Sequence, residues 1–235
     1  MKQKHFLYLF LLSPLFFLFS CDGETLELTL EVPDGPSKFQ PLVVGNYIDY
    51  QIDTVRFTEF DGYDSGTYQL RELIAEQLDD SFSNQRYKLE RYRRADETQN
   101  WRLDSIWTAR FQNSSYIKIE NNVPFVRLVS PVLANTTWNG NLLNSNSEET
   151  YRVGFYLEDY TVLDKTYNNS MEIIHQVDTS LLFTNTRSEI FAEGVGLIYK
   201  KAESIRLCDL SGCFGTKLPV GGTSFEQKII GTGKM

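Results

Sequence analysis

The chain is poor in the residue types that most catalytic and metal sites require. It has two histidines and three cysteines in 235 residues, and only His175 lies beyond the N-terminal leader. No His-Glu-x-x-His segment, P-loop or dinucleotide-binding glycine motif occurs, and no Gly-x-Ser-x-Gly elbow accompanies the histidine. We therefore expect no catalytic residue set, no metal site and no cofactor, and we expect His175 to lie on the solvent side of a strand.

Positive charge is also in short supply. The sequence has 23 basic and 31 acidic residues, a net charge of −8, and such a chain repels nucleic acid phosphates. The segment Arg91-Tyr92-Arg93-Arg94 near Trp101-Arg102 does combine basic and aromatic residues, as single-strand binders do. We interpret it as a solvated, charge-paired hairpin, and we expect no nucleic acid partner.

Long apolar runs are missing as well. The longest, Phe6 to Phe19, has about 14 residues, whereas a membrane-spanning helix needs about 20. Pro14 interrupts the run and would kink a helix. Lys2 and Lys4 precede it, and this order is typical of a signal peptide.

The end of the apolar run carries the most specific motif. Leu18-Phe19-Ser20-Cys21 resembles the lipobox of bacterial lipoproteins. The resemblance implies that Cys21 receives a lipid and that the peptide is cut just before it. Residues 1–20 would then be the signal peptide and 21–40 a lipidated tether. Several acyl chains on one residue anchor a protein stably, since each buried CH₂ contributes about 0.8 kcal/mol.

Two cysteines remain, Cys208 and Cys213, separated by a short turn. Outside the cytoplasm disulfides persist, so we expect these two to pair. Closing so small a loop contributes about 2 kcal/mol in the chain-entropy model. Two alternatives stay open: a pair of free thiols, and half of a zinc site, although no second cysteine or histidine pair is there to complete four ligands.

From residue 41 onward, strand-like segments alternate with turn residues. In Tyr47–Phe57 the apolar side chains alternate with polar ones, the period of a half-buried strand. Tyr68–Leu78 and Arg86–Arg94 are interpreted as a hairpin, although Tyr68–Leu78 also fits a helical stripe. One short helix is expected at Thr186–Ala192, ended by Gly194.

This pattern predicts an all-β fold. About ten short strands with frequent turns favour an antiparallel barrel or sandwich. Because no composition shift or fixed repeat divides residues 41–235, we expect them to form a single domain.

Scattered segments resemble uncharacterised Bacteroidetes lipoproteins. Phe39–Asn46 is similar to their first strand, and Glu189–Tyr199 is similar to a late turn and strand. Arg91–Arg93 and Trp138–Asn141 fit the same family. The resemblance implies an all-β lipoprotein domain at the outer membrane, on its periplasmic or its surface face, and implies no activity.

The candidate ligand contacts are Trp138, Asn139 and Asn141, in the asparagine-rich loop 135–147. A tryptophan ring can stack on the apolar face of a sugar while amide groups bind its hydroxyls. The alternative is that Trp138 plugs one end of the barrel, because large aromatic side chains usually bury their area.

These observations predict a non-enzymatic binding or assembly role in the cell envelope, with a protein or glycan as partner. One alternative is an envelope glycan hydrolase, which needs two carboxylates about 5 to 10 Å apart. Pairs such as Glu72 and Glu76, or Glu158 and Asp159, are available. The other alternative is a lipid-binding barrel, which needs a dry interior cavity.

Overall fold

A computed structural model describes residues 35–59, 62–78 and 85–235, and these contain one four-residue helix and twelve strands. Pro33–Met235 form one compact unit. The leader, Cys21 and most of the tether lie outside the described residues, so the predictions made for them are not addressed by the fold. Within the described ranges, no helix has the length and apolarity needed to cross a membrane.

The helix α1 spans Pro36–Phe39. The strands β1 to β12 span, in order, Asn46–Thr58, Gly62–Leu78, Arg86–Arg94, Arg102–Gln112, Ser115–Glu120, Val123–Val129, Thr137–Asn139, Thr150–Val162, Lys165–Thr179, Phe183–Ala192, Gly196–Leu207 and Pro219–Lys234.

All twelve strands belong to one antiparallel sheet, in the order β6-β5-β4-β3-β2-β1-β12-β11-β10-β9-β8-β7. Its two edge strands approach each other: the Val126 amide donates to the Gly140 carbonyl at 2.9 Å, and Trp138 Nε1 donates to the Val126 carbonyl at 2.8 Å. A side chain at Gly140 would overlap the Tyr151 ring of β8, so glycine lets this ring lie directly against the backbone that follows β7. The sheet is thus a nearly closed barrel, which confirms the all-β class with twelve strands instead of about ten.

Irregular pairing bends the long strands into this barrel. The register shifts at several places, including Asp49/Tyr50 between β1 and β12 and Ile190/Phe191 between β10 and β11. Such bulges increase the local twist and curvature of a strand, and a closed sheet needs both.

The expected helix at Thr186–Ala192 is wrong, because this segment lies within β10. It pairs on both sides, with β9 and with β11. Neighbouring residues belong to different apolar clusters, Ile190 to one and Phe191 to the other, as expected for alternating faces of a strand. The second ambiguous segment, Tyr68–Leu78, is a strand within β2.

Helix α1 packs against the barrel. Phe39 is completely buried in one of the two apolar clusters, and the Gly194 amide in the β10–β11 turn donates to the Lys38 carbonyl at 2.8 Å. Residues 36–40, which the sequence assigned to the tether, therefore belong to the folded unit. Strand β1 begins beside α1, so the β1–β2, β3–β4 and β11–β12 connections lie at the opposite end, here called the distal end.

The structure joins Cys208 to Cys213, with their Cα atoms 5.8 Å apart. The pair lies in the β11–β12 connection, where the Cys208 amide also donates to the Leu218 carbonyl at 2.8 Å. The bridge therefore closes a loop at the distal end.

Replacing Phe39 with alanine tests the packing role of α1. Because the ring is fully buried, we expect the free energy of unfolding to fall by about 3–5 kcal/mol. Urea unfolding followed by tryptophan fluorescence measures the change. Tyr63→Ala, at a position that is 69% exposed, is the control and should stay within about 0.5 kcal/mol of the wild type. Equal effects in the two variants would contradict the assignment of α1 to the core.

Candidate functional site

A cavity of about 140 Å³ lies inside the barrel, and we call it the central cavity. Eight strands, β2 to β6 and β10 to β12, contribute to its wall, and Gln40 after α1 closes one side. Since these strands surround the space, it is the barrel interior. The lining residues are Gln40, Glu72, Arg91, Trp107, Tyr116, Lys118, Glu120, Arg127, Glu189, Phe191, Leu197, Lys200, Phe225 and Gln227.

Strand pairing explains why charged residues meet there. Glu72 lies directly opposite Arg91 in the β2–β3 ladder, and Glu189 lies opposite Lys200 in the β10–β11 ladder. Directly opposite residues project to the same face of a sheet. Each pair therefore faces the interior as a unit, and the pairs meet across the cavity only because the sheet closes.

Glu189 is the most deeply buried acid of the cavity, with its side chain 5% exposed. Lys200 Nζ lies 2.8 Å from its carboxylate, His175 Nε2 at 3.5 Å and an Arg127 amino group at 3.7 Å. Burial alone would raise the pKa of Glu189, but the charges of Lys200 and Arg127 lower it well below its usual range. The carboxylate is therefore charged, and these neighbours replace its lost water.

Arg127 links Glu189 to a second acid. Its Nη2 lies 2.7 Å from Glu120 Oε1, and its Nη1 is 3.4 Å from the Tyr151 hydroxyl. Burial opposes the charge of Arg127, yet the two carboxylates raise its pKa above the usual value. Although burial would raise the pKa of Glu120, Arg127 and Lys118 lower it. Burial also raises the pKa of Tyr151 to about 12, so this hydroxyl stays protonated.

Glu72 organises the other side of the cavity. Lys118 Nζ lies 2.8 Å from both of its carboxylate oxygens, and Arg91 Nε lies at 3.5 Å. Both cations also approach the Trp107 ring, Arg91 at 3.7 Å and Lys118 at 5.1 Å from the centroid. Such contacts are attractive because the face of the ring is electronegative.

The cavity lining has one positive charge in excess. It carries four cations, Arg91, Lys118, Arg127 and Lys200, against three glutamates. The adjacent His175 adds no charge near neutral pH, because burial lowers its pKa despite the opposing effect of Glu189.

The expectation that His175 faces solvent is wrong. The residue is 7% exposed, and its ring stacks on Tyr151 with centroids 4.0 Å apart. It shares a strand face with the fully buried Ile173. Because Ile173 and Ile174 are both apolar, the sequence pattern does not show which face is buried.

Trp138, Asn139 and Asn141 come together where the two edge strands meet. Trp138 packs edge-on against Tyr151 at 5.9 Å. Asn139 Oδ1 accepts from the backbone amides of Asn141 and Glu149, and Asn141 Nδ2 donates to the Ser147 carbonyl at 2.7 Å. The two amides thus order the loop, and a ligand contact by these three residues stays a prediction.

The acids proposed for a hydrolase are not brought together. Glu72 lines the cavity, but Glu76 is exposed and contacts Lys88, and Glu158 and Asp159 are both exposed on β8. In the described part of the chain, no group of three or more histidine, cysteine, aspartate and glutamate residues is suited to hold a metal ion.

The interpretation of Arg91–Arg94 as a charge-paired hairpin is wrong for two of its arginines. Arg91 does pair with Glu72 inside the barrel. Arg93 instead stacks on the Tyr68 ring at 3.7 Å, and Arg94 stacks on Trp101 at 4.2 Å. Arginine stacks readily on aromatic rings. Tyr68 lies on the preceding strand and escapes a local pattern, whereas Trp101 belongs to the basic and aromatic segment seen in the sequence.

No protein-family model, curated protein or solved structure matches the chain. Its function is therefore inferred from the geometry and electrostatics of the cavity.

Replacing His175 with glutamine tests the electrostatics of the cavity. The unfolded chain takes up a proton at this histidine below about pH 6.5, whereas the folded protein resists because the pKa of His175 is lowered. Stability should therefore fall as pH drops below 6.5 in the wild type, at up to about 1.4 kcal/mol per pH unit, and fall less steeply in His175→Gln.

Urea unfolding between pH 5 and 8 measures this slope. Glu120 and Glu189, whose pKa values are lowered from 4.5, lose their stabilising contribution only below that window, because the unfolded chain protonates there. Parallel pH profiles for wild type and variant would show that His175 is not held neutral in the fold.

Proposed function

We propose that this chain is a lipid-anchored, non-catalytic binding protein of the cell envelope and that it holds a small charged solute in its central cavity. The observation that carries the proposal is the cavity lining, where seven charged side chains surround about 140 Å³ inside the barrel. This partner differs from the protein or glycan expected from sequence, because the space suits a small molecule.

The energetics of the lining support a ligand role. Burying ion pairs gives little net stability, and apolar residues of similar size are often as stabilising. A charged interior is thus expensive unless it serves another purpose. The excess positive charge over Glu72, Glu120 and Glu189 also leaves a counter-charge to be supplied. A bound charged solute would give the charged interior a purpose and would supply the missing counter-charge.

A hydrolase is a weaker interpretation of the same acids. Its general acid needs a raised pKa, whereas the pKa values of Glu120 and Glu189 are lowered. Both carboxylate oxygens of Glu72 are already bound by Lys118 Nζ. A glycan chain also needs an open groove, and the central cavity is smaller than the pockets of about 300 Å³ or more that hold drug-sized ligands.

A lipid carrier is disfavoured by the same lining. An acyl chain in the cavity would separate Lys118, Lys200 and Arg127 from water without offering any hydrogen bond in return. Burying charged groups in this way is costly. The cavity therefore suits a polar solute.

The envelope address rests on the lipobox at Leu18–Cys21 and is supported by the joined pair Cys208 and Cys213. Disulfides persist outside the cytoplasm and are rare within it. Lipid on Cys21 would hold the barrel at a membrane through the residues that precede α1.

Filling the cavity tests the binding function. Leu197 lines the cavity, so Leu197→Trp should occupy part of the space. Leu142→Trp, at a position that is 68% exposed, is the matched control. Melting temperature is measured with acetate, phosphate, sulfate, glycine, betaine and glucose at constant ionic strength. A solute at tenfold its Kd stabilises the folded state by about 1.4 kcal/mol.

We expect at least one of these solutes to raise the melting temperature of the wild type and of Leu142→Trp in a saturable way, and Leu197→Trp to lose the effect. The proposal fails if no solute in the panel stabilises the wild type, or if Leu197→Trp responds as strongly as the control.

The anchor is tested by Cys21→Ser. We expect the wild type to remain with membranes after an alkaline wash and its mature N-terminus to be acylated Cys21 by mass spectrometry, because two or more acyl chains bind a bilayer stably. Cys21→Ser should lose the acyl mass, while the control Cys208→Ser/Cys213→Ser should keep it. An unmodified wild-type N-terminus at another residue would contradict the anchor.

A further inference from the structure

The geometry points to an anion as the ligand, with an outer binding subsite at the distal end of strands β2 to β4. This inference rests on the proposed function of the central cavity. The subsite is an open groove of about 410 Å³, here called the arginine groove. Its residues used in the argument are Tyr68, Arg93, Arg94, Asn100, Arg102 and Asp104.

The arginines of this groove are not neutralised by salt bridges. Arg93, Arg94 and Arg102 form none with any carboxylate in the described ranges. The cations around the central cavity differ, because Lys118, Lys200 and their neighbours are each paired with a glutamate. The arginine groove therefore offers guanidinium groups that are free to bind an external anion.

Two of these guanidinium groups are held in place without a salt bridge, and they project to opposite faces of β3 because the two residues are adjacent in the strand. Arg93 lies over the Tyr68 ring at 3.7 Å. Arg94 lies over the Trp101 ring at 4.2 Å, and its Nε donates to Gln69 Oε1 at 2.7 Å. A side chain that is already ordered loses less entropy when it binds a ligand. Stacking on Tyr68 leaves Arg93 without a carboxylate partner in the described residues, whereas Arg94 is attracted by Asp96, whose pKa is lowered by the Thr98 hydrogen bonds and also by Arg94.

The arginine groove adjoins the central cavity along β3. Residues two apart on a strand share a face, so Arg93 lies on the cavity face with Arg91. At about 3.3 Å per residue the two Cα atoms are about 7 Å apart. Arg93 is paired with Leu70, two residues from Glu72 on β2, and the register between these positions is regular. The groove therefore continues the inner face of β2 and β3 from the central cavity toward the distal end.

The residues that line the arginine groove and those that line the central cavity both carry a net positive charge. The arginine groove carries three arginines and one acid, Asp104. Asp96 lies nearby on the β3–β4 connection and accepts hydrogen bonds from Thr98. The central cavity adds one further positive charge. Glu97 lies on the same connection as Asp96. Arg93 and Arg102 lie directly opposite each other in the β3–β4 ladder, so positive charge is concentrated on this face of a chain whose net charge is −8, and it attracts anions.

The donor geometry defines the ligand class. A guanidinium group presents parallel N–H donors that match carboxylate, phosphate and sulfate oxygens, and the Asn100 amide borders the same space. We therefore infer that the ligand carries a carboxylate or a similar oxyanion group.

Removing the groove charges tests this inference. The variant is Arg93→Met/Arg102→Met, and the control is Arg56→Met/Arg152→Met, which removes the same charge at exposed positions on β1 and β8. All four side chains are exposed, so both proteins should fold. Titration calorimetry measures the Kd for acetate, phosphate and sulfate at constant ionic strength, with glucose and betaine for comparison.

We expect wild type and control to bind at least one of the three anions, with affinities within twofold of each other, and to bind neither glucose nor betaine. The groove variant should bind that anion at least tenfold more weakly. Acetate as the tightest ligand would indicate a carboxylate ligand, and phosphate or sulfate would indicate a divalent oxyanion; either outcome supports an anion site.

Equal affinity in groove variant and control would overturn the subsite. Binding of betaine or glucose alone would overturn the anion class, and in both cases the cavity proposal stands if Leu197→Trp abolishes that binding. Absence of binding by every solute in the wild type would overturn the proposed function together with this inference.

Discussion

A carboxylate inside a protein stays charged only if cations and hydrogen-bond donors replace the water it has lost. Glu189 imposes this constraint on the barrel, because its side chain is almost completely buried. Lys200 comes from the neighbouring strand, His175 from β9 on the other side, and Arg127 from β6 at the edge of the sheet. Arg127 is itself buried, and Glu120 pairs with it and balances its charge. The ion pairs therefore connect strands that are far apart in the sheet, and they depend on its closure.

The number of strands explains why the interior has room for a cavity. An eight-stranded barrel is just wide enough for side chains to fill, and a larger one leaves more space. Twelve strands surround this interior. Phe39 of α1 and the aliphatic cluster around it fill one part, and the charged residues around the central cavity occupy another. The proposed small charged ligand therefore depends on the width of the barrel as well as on the charges around the central cavity.

The sequence predicted the strand class well because alternation is a local property. Tyr47–Phe57 is a strand, as its alternating period indicated. The period of Tyr68–Leu78 also fitted a helix, and this segment is a strand too. Thr186–Ala192 was misinterpreted as a helix, since pairing with β9 and β11 overrides local preference. The stacking of Arg93 on Tyr68 was missed because their positions, 25 residues apart, become neighbours only when β2 and β3 pair.

The amino-acid sequence by itself determined the alternating segments, the nearness of Cys208 to Cys213 and the resemblance of Leu18–Cys21 to a lipobox, because each depends on residues close together in the chain. The acidic balance follows from composition alone. The tertiary structure alone decided which charged side chains form ion pairs. Lys118 and Glu72 are 46 residues apart, and Arg127 and Glu189 belong to strands at different places in the sheet. Their pairing, and with it the cavity, exists only once the sheet curves round and its edges approach, and no local pattern encodes that closure.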